Sequence, residues 1–512
     1  MVTLLYLLVA ALVMLPGLLH PGDWTGTEAR RVQIASEMLS TGSWFVPTLG
    51  FEPTLVKPPL HYWITAAIVD QVGPAIWLLR VPPVLAFAGL ARLAHGLVVR
   101  THGCGAGYAA GLGILTAPLV AVLAPRAEID PLFAAITAAS LLCIAYGAAF
   151  ARRSWLWIGG LLGGLALIDK GPPYLLFFAG TLLVWLRRRR AMGVQWALFG
   201  MALLPALWLF AVMQASATTD ALLDSAMVES VGRVGLFHWE DAIEIPLFLA
   251  RAVLISLPFG FFLFHEYRGE RPASPDGPEL FVRRCAAAAF SAVILLVFFP
   301  ARPARYLLPA VPLFVVAVSP SVAAYARRAT IGRPMRVTLA CVATLFAVLG
   351  AIVPWLPPSY GPGNSLALFA LAAFALCVRT PRAVVAGLFT LAPVATWIGV
   401  ADAAEHRAIN RDSFAHPGRV LAAAVASRRA EDLTTFLHVP SQALLHAGLL
   451  PPGDELARRP PTSRWVLMEA GAVPLEAWRH VAKVSLPLPD YVSRVRIQLA
   501  RRDLLLMERQ VR

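Results

Sequence analysis

Three of the 44 basic residues in this sequence are lysine: Lys57, Lys170 and Lys483. Where arginine fills nearly every basic position, a lysine marks a place for a compact point charge that a planar guanidinium does not replace. Two of the three sit in short polar breaks between apolar runs, Val56-Lys57-Pro58-Pro59 and Asp169-Lys170-Gly171-Pro172. An ammonium at a bilayer surface is an ordinary phosphate ligand, so the chemistry suggested is capture of a lipid-linked phosphate. Snorkelling of interfacial lysines is the plainer alternative. Acidic residues are as sparse. Asp23 and Glu28 form one group and Glu128 and Asp130, in Arg126-Ala127-Glu128-Ile129-Asp130, another. Ionisable groups at a membrane edge are costly unless paired or wet, so these acids with Arg30, Lys57 and Arg126 suggest a polar cavity. An ordinary set of loop ion pairs is the competing account. Arg233, His238 and the Arg302-Pro303-Ala304-Arg305-Tyr306 segment add polar groups that interfacial anchoring would also explain.

Other chemistries find little support. His61, beside Tyr62, reads as a headgroup-facing histidine, and no clustered histidine and carboxylate spacing points to a catalytic metal. No phosphate-cradling glycine loop, dinucleotide fingerprint or serine-histidine-aspartate arrangement can be placed. The cysteines Cys104, Cys143, Cys285, Cys341 and Cys377 lie in or beside apolar runs without paired spacing and read as helix-packing residues.

The elements that must position these groups follow from composition. Of 512 residues, 58% are hydrophobic and 14% charged, whereas soluble domains carry roughly 25% charged residues. A soluble enzyme is thereby excluded, and the net charge of +14 is that of a membrane protein with basic loops rather than of a nucleic-acid binder. Apolar windows long enough to approach a bilayer crossing fall at 2–19, 81–99, 104–124, 131–150, 154–168, 172–186, 193–214, 243–264, 285–300, 306–324, 336–355, 364–378 and 383–401. They predict about thirteen transmembrane helices, the first retained rather than cleaved as a signal peptide. Arginines at 100, 152–153, 187–190, 268–284, 327–336 and 379–382 all follow even-numbered windows, which makes those loops cytoplasmic. The loops at 20–80 and 215–242 and the tail from 402 then lie outside. In the first loop Glu28 to Leu39 sets Val32, Ile34, Ala35, Met38 and Leu39 against Arg30, Arg31 and Glu37, the pattern of an interfacial helix, and Leu60 to Val72 forms a second with Tyr62 and Trp63 at headgroup level. The tail is richer in charge, with a helical run near Gly418 to Arg429 and strand-like runs at Thr435 to Val439, Arg464 to Met468 and Val492 to Leu499. The expected architecture is a multi-pass α-helical membrane domain, 1–401, with loop helices at 20–80, and a small soluble periplasmic α/β domain, 402–512.

The motifs Thr27-Glu28-Ala29-Arg30, Ala35-Ser36-Glu37-Met38-Leu39, Gly42-Ser43-Trp44, Val46-Pro47 and Lys57-Pro58-Pro59-Leu60-His61-Tyr62-Trp63 resemble the GT-C glycosyltransferases of the protein-mannosyltransferase-like superfamily, and within it the bacterial aminoarabinose lipid A transferases. Their order continues through Arg126 to Asp130, Asp169-Lys170-Gly171-Pro172, Arg233 and Arg305-Tyr306-Leu307-Leu308-Pro309. The resemblance implies an inverting transferase of the bacterial inner membrane that moves a sugar from a polyprenyl (undecaprenyl) phosphate to lipid A or another envelope acceptor, glycolipid or protein, on the periplasmic side. It implies Arg30 and Lys57 as ligands of the carrier phosphate, Asp130 as the second-loop acid, and Lys170, Arg233 and Tyr306 as cavity residues, with Arg126, His238 and Arg305 beside them. Two departures stand out. Thr27-Glu28 replaces the family's usual Asp-Glu pair, which passes the first-loop acid role to Glu28 or Asp23. Leu55-Val56 precedes the loop-one lysine where the family tends to show Phe-Glu, which removes an acidic ligand for a metal or an amino sugar and leaves the donor sugar open; a divalent cation is the one cofactor kept open. A flippase of lipid-linked material and a non-catalytic polyprenyl-phosphate binder remain alternatives. Charges gathered at helix ends rather than at mid-membrane favour transfer over transport.

Overall fold

The structure, a computed structural model, describes residues 1–19, 28–49, 52–54, 57–186, 193–215, 241–256, 259–260, 262, 277–299, 302–352, 362–390, 433–436, 465–469, 478–489 and 499–509. Two compact units are present: residues 1–20, 55–61 and 77–403 form one, residues 21–54, 62–76 and 404–512 the other.

The helices run α1 (Val2–Leu19), α2 (Glu28–Thr41), α3 (Leu60–Val72), α4 (Ile76–Leu79), α5 (Val81–His102), α6 (Cys104–Thr116), α7 (Pro118–Leu123), α8 (Ile129–Ala149), α9 (Arg153–Asp169), α10 (Pro173–Leu186), α11 (Val194–Ala215), α12 (Asp241–Ser256), α13 (Gly277–Val297), α14 (Ala310–Ala326), α15 (Arg333–Ile352), α16 (Pro362–Cys377) and α17 (381–390). The described part of each apolar window falls on one of them or on a pair, while parts of the windows at 243–264, 336–355 and 383–401 lie outside the described residues. Among the described residues, five spans are long and apolar enough to cross a bilayer: Val2–Leu19, Ile76–His102, Ile129–Ala149, Val194–Gln214 and Gly277–Val297. Large apolar side chains such as Leu8, Leu12, Phe199, Phe210, Phe290 and Ile294 stand on their outer faces, as lipid-facing helices require. The window at 104–124 is not one helix. Ala117 adopts an extended conformation (φ −59°, ψ 126°) and Pro118 restarts the chain as α7, because the residue before a proline is pushed out of the helical region. The window at 306–324 likewise starts late, as a 3-10 turn at Ala304–Leu307 followed by α14 after Pro309.

Packing in the first unit centres on α9. Its Gly159-Gly160 and Gly163-Gly164 pairs make two small-residue stripes. A Cβ on Gly160 would lie 2.3 Å from the carbonyl oxygen of Ala197 on α11, and one on Gly159 2.9 Å from that of Ser140 on α8. Both neighbours are backbone, so neither can swing aside, and close helix approach here depends on the glycines. The Ser140 hydroxyl donates to the Gly159 carbonyl at 2.6 Å and accepts from the Tyr174 hydroxyl of α10 at 2.7 Å, tying three helices together in the apolar interior. Gly160→Val is therefore expected to destabilise the protein by about 3 kcal/mol through overpacking. Gly89→Ala, where a Cβ meets nothing within 4 Å, should be neutral; melting of the purified variants in detergent checks both. Of the cysteines, Cys143 and Cys285 are packed inside, while Cys104, Cys341 and Cys377 are exposed.

In the second unit, α2 is followed by a two-stranded antiparallel pair, β1 (Thr48–Leu49) and β2 (Glu52–Pro53). Glu37 does not face solvent as its charge led the helical pattern to suggest. It is fully buried, with Oε1 accepting from Gln33 Nε2 at 3.0 Å and Oε2 from Thr48 Oγ1 at 2.8 Å. A buried carboxylate is tolerable when donors satisfy it, and these fasten β1 to α2. Tyr62 is also buried rather than placed at a headgroup surface; its hydroxyl accepts from Arg31 Nη1 at 2.8 Å. Four further strands, β3 (Leu433–Phe436), β4 (Trp465–Glu469), β5 (Trp478–Pro489) and β6 (Leu499–Arg509), make one sheet in the order β3-β4-β6-β5. β3 pairs parallel with β4 and the other pairs are antiparallel. The expected helix near Gly418 to Arg429 lies outside the described residues.

Candidate active site

Three helix boundaries of the first unit converge on one carboxylate. Asp130 stands in the first turn of α8, and Lys170 closes the C-terminus of α9. These are the ends at which the helix dipole favours an anion and a cation respectively. Lys170 Nζ lies 2.5 Å from Asp130 Oδ1. Gly171, at φ +88°, reverses the chain directly after Lys170 and hands it to α10, a left-handed conformation that glycine adopts without strain. Arg305, from the 3-10 turn before α14, places Nε 3.6 Å from Asp130 Oδ2.

Aromatic rings complete the enclosure. The Lys170 ammonium sits 5.0 Å from the Phe133 ring centroid and 4.7 Å from that of Tyr306, and the Arg305 guanidinium lies 5.7 Å from the Tyr306 ring. Both cations are thus held by ring faces as well as by the carboxylate. Lys170 is 8% exposed, whereas the Arg305 side chain is 50% exposed. The result is a graded site in which a sheltered ammonium and an open guanidinium share one carboxylate. The half-exposed Arg305 guanidinium sets a cation at the open side, suited to an anionic oxygen ligand such as phosphate.

The structure thus brings together Asp130, Lys170, Arg305 and Tyr306 of the residues singled out in the sequence. Arg126 is half-buried in the turn leading to α8, where Glu128, the residue before α8, is 7% exposed. Lys57 is half-buried in the bend before α3. Glu28 begins α2 in the second unit and is fully buried, while Arg30 two residues on is exposed. His61 is 4% exposed, so the headgroup-facing reading does not hold for it. Asp23, Arg233 and His238 lie outside the described residues. Sequence reasoning missed Phe133. Its position three residues after Asp130, hence on the same face of α8, is the signal that could have found it. Asp169, next to Lys170, is fully buried, and the sequence pattern alone assigns it no role. Among the described residues no group of three or more histidine, cysteine or acidic side chains is arranged to hold a metal ion.

Residues 56–214 match the model of a family described as dolichyl-phosphate-mannose-protein mannosyltransferase, a segment that includes Lys57, Asp130 and Lys170. No curated protein sequence matches the chain significantly. Among solved structures, ArnT from Cupriavidus metallidurans bound to undecaprenyl phosphate aligns with a TM-score of 0.70 at 15% identity, covering 98% of this chain and 97% of that one. The same protein in the apo state aligns with a TM-score of 0.66 at 17% identity, covering 87% and 84%. At these identities the likeness establishes the fold, a largely helical GT-C membrane architecture shared over nearly the whole chain.

Proposed function

We propose that this chain, an integral membrane protein of the GT-C glycosyltransferase fold with a protein-mannosyltransferase family domain, is an inverting transferase that moves a sugar from polyprenyl phosphate to lipid A or another envelope acceptor. The observation that carries the reading is the Asp130-centred cluster, in which Lys170 and Arg305 are held at one end of the helical bundle beneath Tyr306. In the proposed reaction the acceptor oxygen attacks the anomeric carbon from the face opposite the carrier. The new glycosidic C–O bond forms as the bond from that carbon to the phosphate oxygen breaks, and the bonding pair departs with the phosphate. Charge grows on that leaving oxygen, and preorganised cations that meet it there lower the barrier. Asp130 acts by fixing both cations.

A hydroxyl acceptor also surrenders a proton, the task this proposal gives to Glu28 or Asp23, while an already anionic phosphate of lipid A needs positioning alone. The loop-one motif is the support for Arg30 and Lys57 as further phosphate ligands. It supports the same end of the molecule, with Arg126, Arg233 and His238, as the acceptor's approach. Thirteen spans, with that end and residues 402–512 in the periplasm of a bacterial inner membrane, complete the reading.

Mass spectrometry of lipid A and other envelope glycolipids, from cells with and without the protein, tests the proposal. A sugar-sized mass present only with the protein, restored by wild type and not by Lys57→Ala, is the expected result. Unchanged spectra in every glycolipid fraction would count against a glycolipid acceptor, and restoration by Lys57→Ala would remove the phosphate role of that lysine.

A further inference from the structure

A second cationic feature lies at the other end of the bundle. Between Glu279 and Asp402 the sequence contains ten arginines and no acidic residue. Six of them, Arg327, Arg328, Arg333, Arg336, Arg379 and Arg382, fall where α14 ends, α15 begins, α16 ends and α17 begins. The up-and-down connection of these helices sets all six at one end, and α15 packs on α16 through Ala343, Ala372 and Ala375. Arg305 precedes α14 and Arg327 follows it, so the 17 residues of the helix separate this end from the Lys170 site by about 25 Å. All six arginines are exposed.

Two details go beyond a loop that is merely basic. Tyr325, in the last turn of α14, is 1% exposed, and its hydroxyl has no hydrogen-bond partner among the described residues. A buried hydroxyl left in that state is unfavourable and calls for a partner. The Arg328 guanidinium stands 5.7 Å from the Tyr325 ring centroid. The turn is also ordered: the Arg327 and Arg328 amides donate to the Ala324 and Tyr325 carbonyls, and Arg336 Nε donates to the Ile331 carbonyl at 3.2 Å. Topology alone asks for positive charge on one side of a membrane; it does not ask for a buried, unpartnered hydroxyl on the tyrosine ring that Arg328 approaches.

We propose that Arg327, Arg328, Arg333 and Arg336 with Tyr325 form a binding site for the phosphate of an anionic phospholipid, in the leaflet opposite the Lys170 site. Guanidinium groups grip phosphate oxygens through paired N–H donors, and the Tyr325 hydroxyl supplies a neutral donor. A lipid rather than free phosphate is the occupant because exposed apolar residues continue from the arginines along the helices. Val337, Leu345 and Val348 on α15 and Leu376 and Phe369 on α16 offer a surface to acyl chains. Basic pockets between transmembrane helices bind acidic headgroups by this combination.

Native mass spectrometry of the purified full-length chain tests the proposal, with phosphatidylglycerol, phosphatidylcholine and inorganic phosphate as separate additions. Phosphatidylglycerol adducts should persist in preference to phosphatidylcholine. The Arg327→Gln/Arg328→Gln variant should lower that preference about tenfold or more, and Tyr325→Phe should lower it severalfold. Arg152→Gln/Arg153→Gln, at the α8–α9 turn of the same end, removes the same charge and should leave it unchanged. Equal retention of both lipids by wild type would overturn the site, as would equal effects of the two arginine-pair variants. Displacement of phosphatidylglycerol by millimolar inorganic phosphate would overturn the lipid assignment. Tyr325→Phe, which keeps every charge, decides the matter should the arginine variant fail to fold.

Discussion

Lys170→Ala is expected to lower the transfer rate by about 10²–10³-fold, the loss typical of removing one preorganised group that stabilises transition-state charge. The ammonium is the sheltered partner of Asp130 at 2.5 Å and lies between the Phe133 and Tyr306 rings. Arg305 does not take its place, since it approaches the other carboxylate oxygen, at 3.6 Å, from the exposed side. The effect on stability should be far smaller, about 2 kcal/mol, the scale of a hydrogen bond to a charged group. Asp130 keeps Arg305 and some contact with water, so no isolated buried charge results. Lys170→Arg should rescue folding but not rate, because a planar guanidinium needs more room than the gap between two aromatic faces that a rounded ammonium fills. Single-turnover rates with a polyprenyl-phosphate sugar, beside melting curves of the same preparations, separate the two effects. A Lys170→Ala enzyme with normal turnover would remove this residue from the chemistry.

Asp130→Asn should act with a different signature. The amide keeps the size and can still accept from Lys170, so the fold is retained, but the charge that holds Lys170 and Arg305 toward one point is gone. Two cations facing a neutral group repel each other and shift, and displacement of a catalytic group by about 1 Å can cost around 10²-fold in rate. Removing a negative charge beside a phosphate site should at the same time leave carrier affinity unchanged or stronger. The expectation is therefore a kcat lower by about 10²-fold with KM for the donor unchanged or reduced, a split that general loss of structure would not give. Because Lys170 and Asp130 are one unit, the Lys170→Ala/Asp130→Asn enzyme should be little worse than the poorer single variant. Additive losses would mean that the two act separately.

Most of the helical architecture was legible because a bilayer imposes a simple rule. Polar backbone must be satisfied within each helix, so apolar windows and arginine-marked turns nearly delimit the elements. The Leu60 to Val72 stretch is legible at its observed bounds as an amphipathic helix that starts directly after Pro58-Pro59. Lys170 and Asp130 stood out because charge is scarce there, and the family motifs linked them to Arg305 and Tyr306. What the sequence did not disclose depended on pairings between distant positions. Periodicity counts Glu37 as a solvent-facing charge, and Thr48, eleven residues on, is what makes its burial acceptable. Tyr62 reads as an interfacial aromatic until Arg31 is found against it. In the tail, β5 was overlooked because Pro487 and Pro489 argue against a strand. It runs at the edge of its sheet, where proline is tolerated. Of the expected strand at Val492 to Leu499, only Leu499 lies among the described residues, where it opens β6.

The most direct test of the central claim is release of polyprenyl phosphate by the purified full-length chain in lipid vesicles, given a polyprenyl-phosphate sugar with and without lipid A. The account predicts acceptor-dependent release by wild type, and at least about 10²-fold less by Lys170→Ala at equal protein folding. Tight binding of polyprenyl phosphate without release from any donor, or equal release by Lys170→Ala, would contradict it and leave a carrier-binding protein that performs no transfer.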